Sequence, residues 1–460
     1  MSLQSVCHLL PYFRNSADLF AACAHEPWAV FLDSGYPSSQ QGRYDIFSAN
    51  PICTFETSAG LTTISSASQM LISSENPFDL LKSELKRYGE IFSASSIPLD
   101  LPFNGGAIGY FSYDLARYIE RLPSIATDAE GTADMAVGIY DWAVIVDHHA
   151  AQSYLICYDV EKTPQLITQF SEIRREGSAE PFSLNSAIQA NFSQTTYKHA
   201  FQKIKQYLKE GDCYQVNLTQ RFSANCQGDT WAVYRILREV NAAPFSAYLH
   251  FPFVRVLSSS PERFLKLTGQ HVETKPIKGT RPRKVDEREN QAQMQSLQNS
   301  PKDRAENVMI VDLLRNDISK VCETGSVRVP KLFEIESYST VHHLVSTVTG
   351  QLAQEKHALD LLKECFPGGS ITGAPKIRAM QIIDEIEPHQ RGVYCGAIGY
   401  IGFNGNMDTN IAIRTLVESD NTIRFWAGGG IVNDSVMEDE YQESFDKAAA
   451  LFDVLKRFQS

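Results

Sequence analysis

The chain has 460 residues, of which 43% are hydrophobic and 21% charged, with a formal net charge of −12. That length predicts two or three domains' worth of packed core. An acidic balance without a basic stripe argues against nucleic acid as a partner, and an anionic substrate would need positive charge brought to it locally. Residues Met1 to Phe13 lack the features of a signal peptide, and no window offers eighteen apolar residues for a membrane span, so a cytoplasmic protein is expected. The nine cysteines are scattered, odd in number and free of any CxxC spacing, which predicts small core residues rather than disulfides or a zinc site.

In chain order, the first 150 residues alternate short β-like runs with proline-marked turns: Trp28–Leu32, Tyr44–Phe47, Gly105–Tyr110 and the longer Met135–Val146. Between them, Phe78, Leu81, Leu85 and Tyr88 recur at helical spacing. From about Glu161 to Gln194 the chain turns polar and irregular and reads as a junction between a region of residues 1–180 and one of residues 190–460, the two sharing one sandwich. Ser193 then suits the cap of a helix carrying Tyr197, Phe201, Ile204 and Leu208, which Gly211-Asp212 ends before a strand from Cys213 to Phe222. The motif Gly-Ala-Ile-Gly-Tyr occurs twice, at 106–110 and 396–400, each time followed by a second β-like run beginning near Met135 or Met407. This echo predicts an α+β fold of two facing antiparallel sheets of similar build with helices on the outside.

Four stretches carry candidate chemistry. Lys278 lies between Pro276 and a Gly279-Thr280 turn, where a lysine reads either as a solvated charge or as a nucleophile or anion partner at a fixed point. Asp303 and Glu306 open a helix whose continuation, Val308 to Leu314, reads as apolar all round and therefore buried. On a terminal helix, Glu440, Glu443 and Lys447 form a polar stripe away from Tyr441, Phe445, Ala448, Phe452 and Leu455. That stripe is either a solvated face or, with the first acidic pair, an oxygen-only donor set of the kind suited to Mg²⁺. The glycine-rich stretch Phe366–Lys376 lacks the Gly-Lys-Ser/Thr of a phosphate loop and reads instead as a tight turn opening the helix Ile377–Ile386. The glycines 428–430 close the strand Thr422–Ala427, and His343 and Arg414 lie in apolar runs, where the arginine needs an anion because it cannot lose its charge.

The blocks Glu273–Arg283, Asp303–Asp317, His342–Ser346, Phe366–Lys376, Tyr394–Tyr400, Ile411–Leu416, Gly428–Val432 and Tyr441–Lys447 together resemble the chorismate-utilising enzymes, the family of anthranilate, aminodeoxychorismate, isochorismate and salicylate synthases. The resemblance implies a Mg²⁺ site with Glu306 and Glu443 as principal ligands and Asp303 and Glu440 binding directly or through water. It further implies that Lys447, Gly279 and Thr280 meet the ring carboxylate, that Arg414, Tyr394, Gly429 and Gly430 hold the enolpyruvyl group, and that Ser370 and His343 line the ring. Within the family, Lys278 in Pro276-Ile-Lys-Gly-Thr280 resembles the aminodeoxychorismate-forming members, whereas anthranilate-forming members carry alanine there. Gln215 stands where the water-using members carry a lysine. The expected reaction is therefore chorismate plus ammonia to 4-amino-4-deoxychorismate, with Lys278 as nucleophile, Glu262 as acid and a separate glutamine amidotransferase subunit as ammonia source. Anthranilate synthesis, or a silent tryptophan sensor or amidotransferase scaffold, is the alternative. Ser34, Tyr44, Pro244 and Phe245 resemble a tryptophan pocket of relatives.

Overall fold

The repeated Gly-Ala-Ile-Gly-Tyr motif pairs with itself. In the computed structural model, which describes residues 3–39, 42–93, 97–98, 100–173, 180–338 and 341–459, the strands Gly106–Phe111 and Ala397–Gly402 lie side by side and antiparallel, with Gly109 opposite Gly399. Met135–Tyr140 adds outside the first strand and Met407–Asn410 outside the second. The echo thus marks a quasi-symmetric centre of one sheet, where one copy in each of two sheets was expected. Both strands are buried along their whole length.

From this centre a twelve-stranded sheet extends one way through Arg263–Thr268, His271–Thr274 and Val341–Gln351 to Ile277–Pro282, and the other way through Cys53–Ser58 and Leu61–Ser66 to Met70–Ser73. A thirteen-stranded sheet runs from Ser183–Leu184 through Gln215–Gln227, Thr422–Ile431, Thr415–Ser419, Val254–Ser260, Phe245–Phe251, Ala29–Asp33, Tyr44–Ser48, Trp142–Asp147 and Gln152–Cys157 to Val6–Leu10. Side chains of both sheets, among them Val30, Ile108, Val137, Leu249, Val256 and Leu265, share one core cluster, which makes the expected sandwich.

The apolar run from Met135 to Val146 is two strands rather than one. Met135–Tyr140 belongs to the first sheet and Trp142–Asp147 to the second, so the chain changes sheet at the buried Asp141, whose carboxylate meets Lys162. Continuous hydrophobicity cannot reveal such a corner, because both strands are covered on both faces.

Helices cover the outer faces. Thr230–Val240 and Met437–Lys456 pack Trp231, Tyr234, Leu237, Ala448, Leu451 and Leu455 against Phe31, Phe222 and Phe425. Each such side chain contributes about 1.5–3 kcal/mol when fully buried. Gln194–Glu210 starts at Ser193, whose hydroxyl accepts from the Thr196 N–H while the Thr196 hydroxyl accepts from the Ser193 N–H, and ends at Gly211 as its sequence predicts. The predicted junction is more ordered than its composition suggests. It contains the helix Thr163–Phe170, seated by Leu166 and Phe170, and the short strands Ser183–Leu184 and Gln189–Ala190, while residues 174–179 lie outside the described residues. The helix Pro301–Ser319 is buried on one face only, through Asn307, Ile310, Val311, Leu314, Asp317 and Ile318, whereas Val308 is 47% exposed. Burial all round was expected, but only one side of this helix meets the sheet. Among the described residues no helix is long and apolar enough to cross a membrane.

Candidate active site

Lys278 sits in a β-bulge. The edge strand Ile277–Pro282 pairs Ile277 with Val345 and then Thr280 with His343, so the regular register slips across Lys278 and Gly279. Bulges re-aim side chains, and Gly279 allows this one with a φ of +83°. A Cβ at Gly279 would also fall 2.9 Å from the Asp303 carboxylate carbon. The Lys278 ammonium donates to the carbonyl oxygen of Ser370 at 3.1 Å, and the Ser370 hydroxyl donates to Glu262 Oε1 at 2.8 Å. One loop residue thereby joins the lysine and the acid that the sequence singled out.

The surroundings push both groups toward their neutral forms. Burial lowers the Lys278 pKa, outweighing the opposing charges of Glu306, Glu262 and Glu443. Burial likewise raises the Glu262 pKa against the Ser370 hydroxyl bond and the Lys278 charge. The nearby carboxylates alone would favour a charged lysine; desolvation reverses that direction.

Glu262 and Arg414 both stand where the chain passes between sheets. Glu262 lies between Val254–Ser260 of the second sheet and Arg263–Thr268 of the first, and Arg414 between Met407–Asn410 of the first and Thr415–Ser419 of the second. The two crossings run together, tied by Ser260 Oγ to Ile411 O at 2.6 Å and by Ser259 N to Arg414 O at 3.1 Å. Arg414 therefore belongs to a corner with φ of +50°, not to a strand. Its guanidinium donates to Asn241 Oδ1 at 3.3 Å, its pKa is lowered by burial, and among the described residues no carboxylate pairs with it. A buried guanidinium lacking an acidic partner is suited to an anionic ligand.

His343 and Thr280 share a hydrogen bond of 2.9 Å, and burial together with the Arg414 charge lowers the histidine pKa to about 4, leaving a neutral imidazole at physiological pH. Tyr394 is buried and stacks on Trp426 with ring centroids 5.7 Å apart. The strand Thr422–Ile431 continues through all three glycines, which were expected to end it, because each stays paired with Gln215–Gln227. A Cβ at Gly429 would meet Glu440 Oε2 at 3.0 Å and Glu443 Oε1 at 3.1 Å, and one at Gly430 would overlap Gln215 Nε2. Small residues here make room for polar side chains crossing the strand.

The acidic groups fall into two sets. Glu440 is 4% exposed and takes a 2.7 Å bond from the Ser435 hydroxyl, so one of the three residues of the polar stripe is buried. Glu443 pairs with Lys447 at 2.6 Å, and Lys447 also donates to Gly428 O at 2.9 Å. Asp303 pairs with Arg281 at 3.1 Å. Burial raises the Glu306 pKa, with Asp303 and Glu443 adding to the effect, and raises that of Glu440, with Glu443 adding. Repulsions of Glu306 with Asp303 and Glu443, and of Glu440 with Glu443, thus link the four carboxylates, whose oxygen-only donors would suit a hard divalent cation. Among the described residues, no three acidic, histidine or cysteine side chains are already drawn around one point.

A separate cavity of about 380 Å³ lies behind the lysine and the acid. Pro261 and Ile277 line it, one residue before Glu262 and Lys278, and so do Ser34, Tyr44, Pro244 and Phe245. The Ser34 hydroxyl is buried and has no hydrogen-bond partner among the described residues.

Three contributors escaped sequence reasoning. Asn217 donates to Ser370 O at 3.2 Å; Arg391, 1% exposed, ion-pairs with Glu387 and donates to Ile371 O at 2.8 Å; and Lys376 closes a buried pair with Asp317 at 2.6 Å, which gives the lysine of the glycine-rich stretch a structural role. Only Asn217 left a signal, lying two residues from Gln215 on one strand and hence on the same face.

Known proteins similar to this chain point to one family. Residues 33–453 match the chorismate binding enzyme family. The aminodeoxychorismate synthase component 1 of Klebsiella aerogenes is 48% identical over 95% of this chain and 96% of its own length. The anthranilate synthase component 1 of Thermus thermophilus is 38% identical over 92% and 91%. Among solved structures, anthranilate synthase component I from Streptococcus pneumoniae superposes with a TM-score of 0.78 at 33% identity, covering 89% of this chain and 92% of that one. With the family matched over residues 33–453 and two large sheets meeting at the lysine, the acid and the arginine, this protein belongs to the chorismate binding enzymes.

Proposed function

We propose that the chain converts chorismate and ammonia to 4-amino-4-deoxychorismate. The observation that carries this reading is the Lys278–Ser370–Glu262 contact, in which one residue bonds both an amine with a lowered pKa and a carboxyl with a raised one. A lowered amine pKa favours the nucleophilic form, and a raised carboxyl pKa favours the proton-donating form. The 48% identity to an aminodeoxychorismate synthase component 1 supports the same choice.

The Lys278 amine attacks C2 of the ring, the ring double bonds shift, and the C4 oxygen leaves as water with a proton from Glu262. Ammonia then forms a bond at C4, the double bonds shift back, and Lys278 departs from C2, while the Glu262 carboxylate takes up the surplus proton. Arg414 and Lys447 meet the substrate's carboxylates, and neutral His343, Thr280 and Tyr394 shape the ring site. Mg²⁺ would be held by Glu306 and Glu443, with Asp303 and Glu440 beside them, and supplies charge neutralisation for an anionic substrate.

Ammonia comes from a glutamine amidotransferase subunit, as the "component 1" of the similar enzyme's name suggests, and the reaction runs in the cytoplasm, in keeping with nine free cysteines. Tryptophan fills the second cavity, with Ser34 offered to its polar end. Purified protein given chorismate, ammonium and Mg²⁺ should yield aminodeoxychorismate and no fluorescent anthranilate. Lys278→Ala should abolish both turnover and the mass adduct seen when ammonium is withheld. Anthranilate as the product, or full turnover by Lys278→Ala, would sink this reading.

A further inference from the structure

The turn that leads into the helix carrying Glu440 and Glu443 is gripped by a lysine from another helix. Lys205, in Gln194–Glu210, sends its ammonium to three backbone carbonyls of one four-residue stretch: Val432 O at 3.5 Å, Ser435 O at 3.3 Å and Asn433 O. An ammonium has three N–H donors and no acceptor, so this stretch takes all that Lys205 can give. The same four residues close on themselves, because the Ser435 N–H bonds Val432 O at 3.1 Å. Phe201, one helical turn before the lysine, sets its ring centroid 5.7 Å from the ammonium.

The turn fixes Glu440. The Ser435 hydroxyl accepts from the Val432 N–H at 3.1 Å and donates to Glu440 Oε1 at 2.7 Å. An N–H can only donate, so the one hydroxyl proton is left for the carboxylate. With Oε1 held, Oε2 faces Gly429, where a Cβ would lie 3.0 Å from it and 3.1 Å from Glu443 Oε1, so the two carboxylates converge beside one glycine. The N-cap of this helix, Val436, makes no side-chain bond, which leaves the turn and the Ser435–Glu440 contact to secure its start.

We propose that Lys205 is a positioning residue for the Mg²⁺ site: by fixing the turn Val432–Ser435 it holds the Ser435 hydroxyl against Glu440 Oε1 and leaves Glu440 Oε2 beside Glu443 for the cation. Hydrogen bonds behind a metal-binding carboxylate orient it, and losing one costs roughly 10- to 100-fold in metal affinity. A lysine suits this task because its charge is spent on carbonyls and does not compete with Mg²⁺ for the acids. Lys447, by contrast, pairs with Glu443 itself.

The inference rests on the proposed Mg²⁺ site, and its test uses the full chain. Magnesium chloride titrated into substrate-free protein gives one midpoint, from the rise in melting temperature, and the Mg²⁺ dependence of turnover at saturating chorismate and ammonium gives a second. Lys205→Met, which keeps the stem and removes the donors, and Ser435→Ala should each raise both midpoints roughly 10-fold or more, with the chorismate KM at saturating Mg²⁺ near wild type. Because Lys205 acts through Ser435, the double variant should lose no more than Ser435→Ala alone. Lys205→Gln, which keeps an amide donor without the charge, should fall between wild type and Lys205→Met, and it carries the test if Lys205→Met does not fold. Unshifted midpoints in the Lys205 variant, or losses that add in the double variant, would overturn the inference. So would a melting temperature lowered without Mg²⁺ while the midpoints stay at wild type, since that is a structural role. Wild-type protein whose melting temperature and turnover both ignore Mg²⁺ would instead overturn the reading of the four carboxylates as a metal site.

Discussion

Replacing Gly279 by alanine should separate backbone strain from damage to the site, because a second glycine serves as its control. Gly269 has φ of +58° and open space where a Cβ would stand, so Gly269→Ala carries only the cost of a left-handed alanine, about 1–2 kcal/mol. Gly279 has φ of +83°, and a Cβ there would fall 2.8 Å from Leu297 Cδ1 and 3.0 Å from Asp303 Oδ1. Leu297 can turn aside, but Asp303 is held by Arg281. The contact adds about 1–3 kcal/mol of overpacking, giving about 2–5 kcal/mol in all. Relief requires the bulge carrying Lys278 to move, and displacement of a catalytic group by about 1 Å costs on the order of 100-fold in rate. Denaturant unfolding and steady-state aminodeoxychorismate formation, run on both variants, measure the two quantities. Gly269→Ala should lose stability and keep its turnover, whereas Gly279→Ala should lose both. Identical stability and turnover in the two variants would refute the role assigned to the bulge.

Arg414→Gln should raise the chorismate KM roughly 10- to 100-fold, the worth of a charge-assisted bond, while leaving unfolding stability unchanged or higher, since it removes a desolvated charge with no acidic partner. His343 takes up its proton near pH 6.5 when unfolded but only near 4 when folded. Stability is therefore complete above about pH 6.5 and falls as pH drops toward 4, by about 3 kcal/mol. Denaturation midpoints across that window should show a shallower slope in His343→Gln. Some slope should survive, because His250 is lowered to about 4 as well. Ser34→Ala, which removes a buried hydroxyl with no partner among the described residues, should change the stability of the free protein by less than about 1 kcal/mol, and, if tryptophan occupies the second cavity as proposed, should weaken the rise in melting temperature expected on adding tryptophan.

Several elements needed nothing beyond local chemistry. The helix Gln194–Glu210 was legible at both ends, because its cap, its apolar spacing and its terminal glycine all act within a few residues. The acidic spacings, the unneutralisable Arg414 and the odd placing of Lys278 were legible as candidate chemistry for the same reason, and the repeated motif predicted the sandwich. What the residues could not reveal was adjacency. Hydrophobic runs are blind to which sheet covers them, so the corner at Asp141 and the self-pairing of the repeated motif emerged only from strand order. The crossings that deliver Glu262 and Arg414 side by side are of the same kind.

Lys278 stands two residues after a proline and directly before a glycine. Its residue type, neighbours and spacing were decided by the sequence, and by themselves left it open between a solvated charge and a nucleophile. The downward shift of its pKa was decided by tertiary structure, because desolvation depends on everything packed around the amine and outweighs the nearby carboxylates. Its direction was decided there too, by a bulge in an edge strand and by a carbonyl 92 residues away that it shares with Asn217.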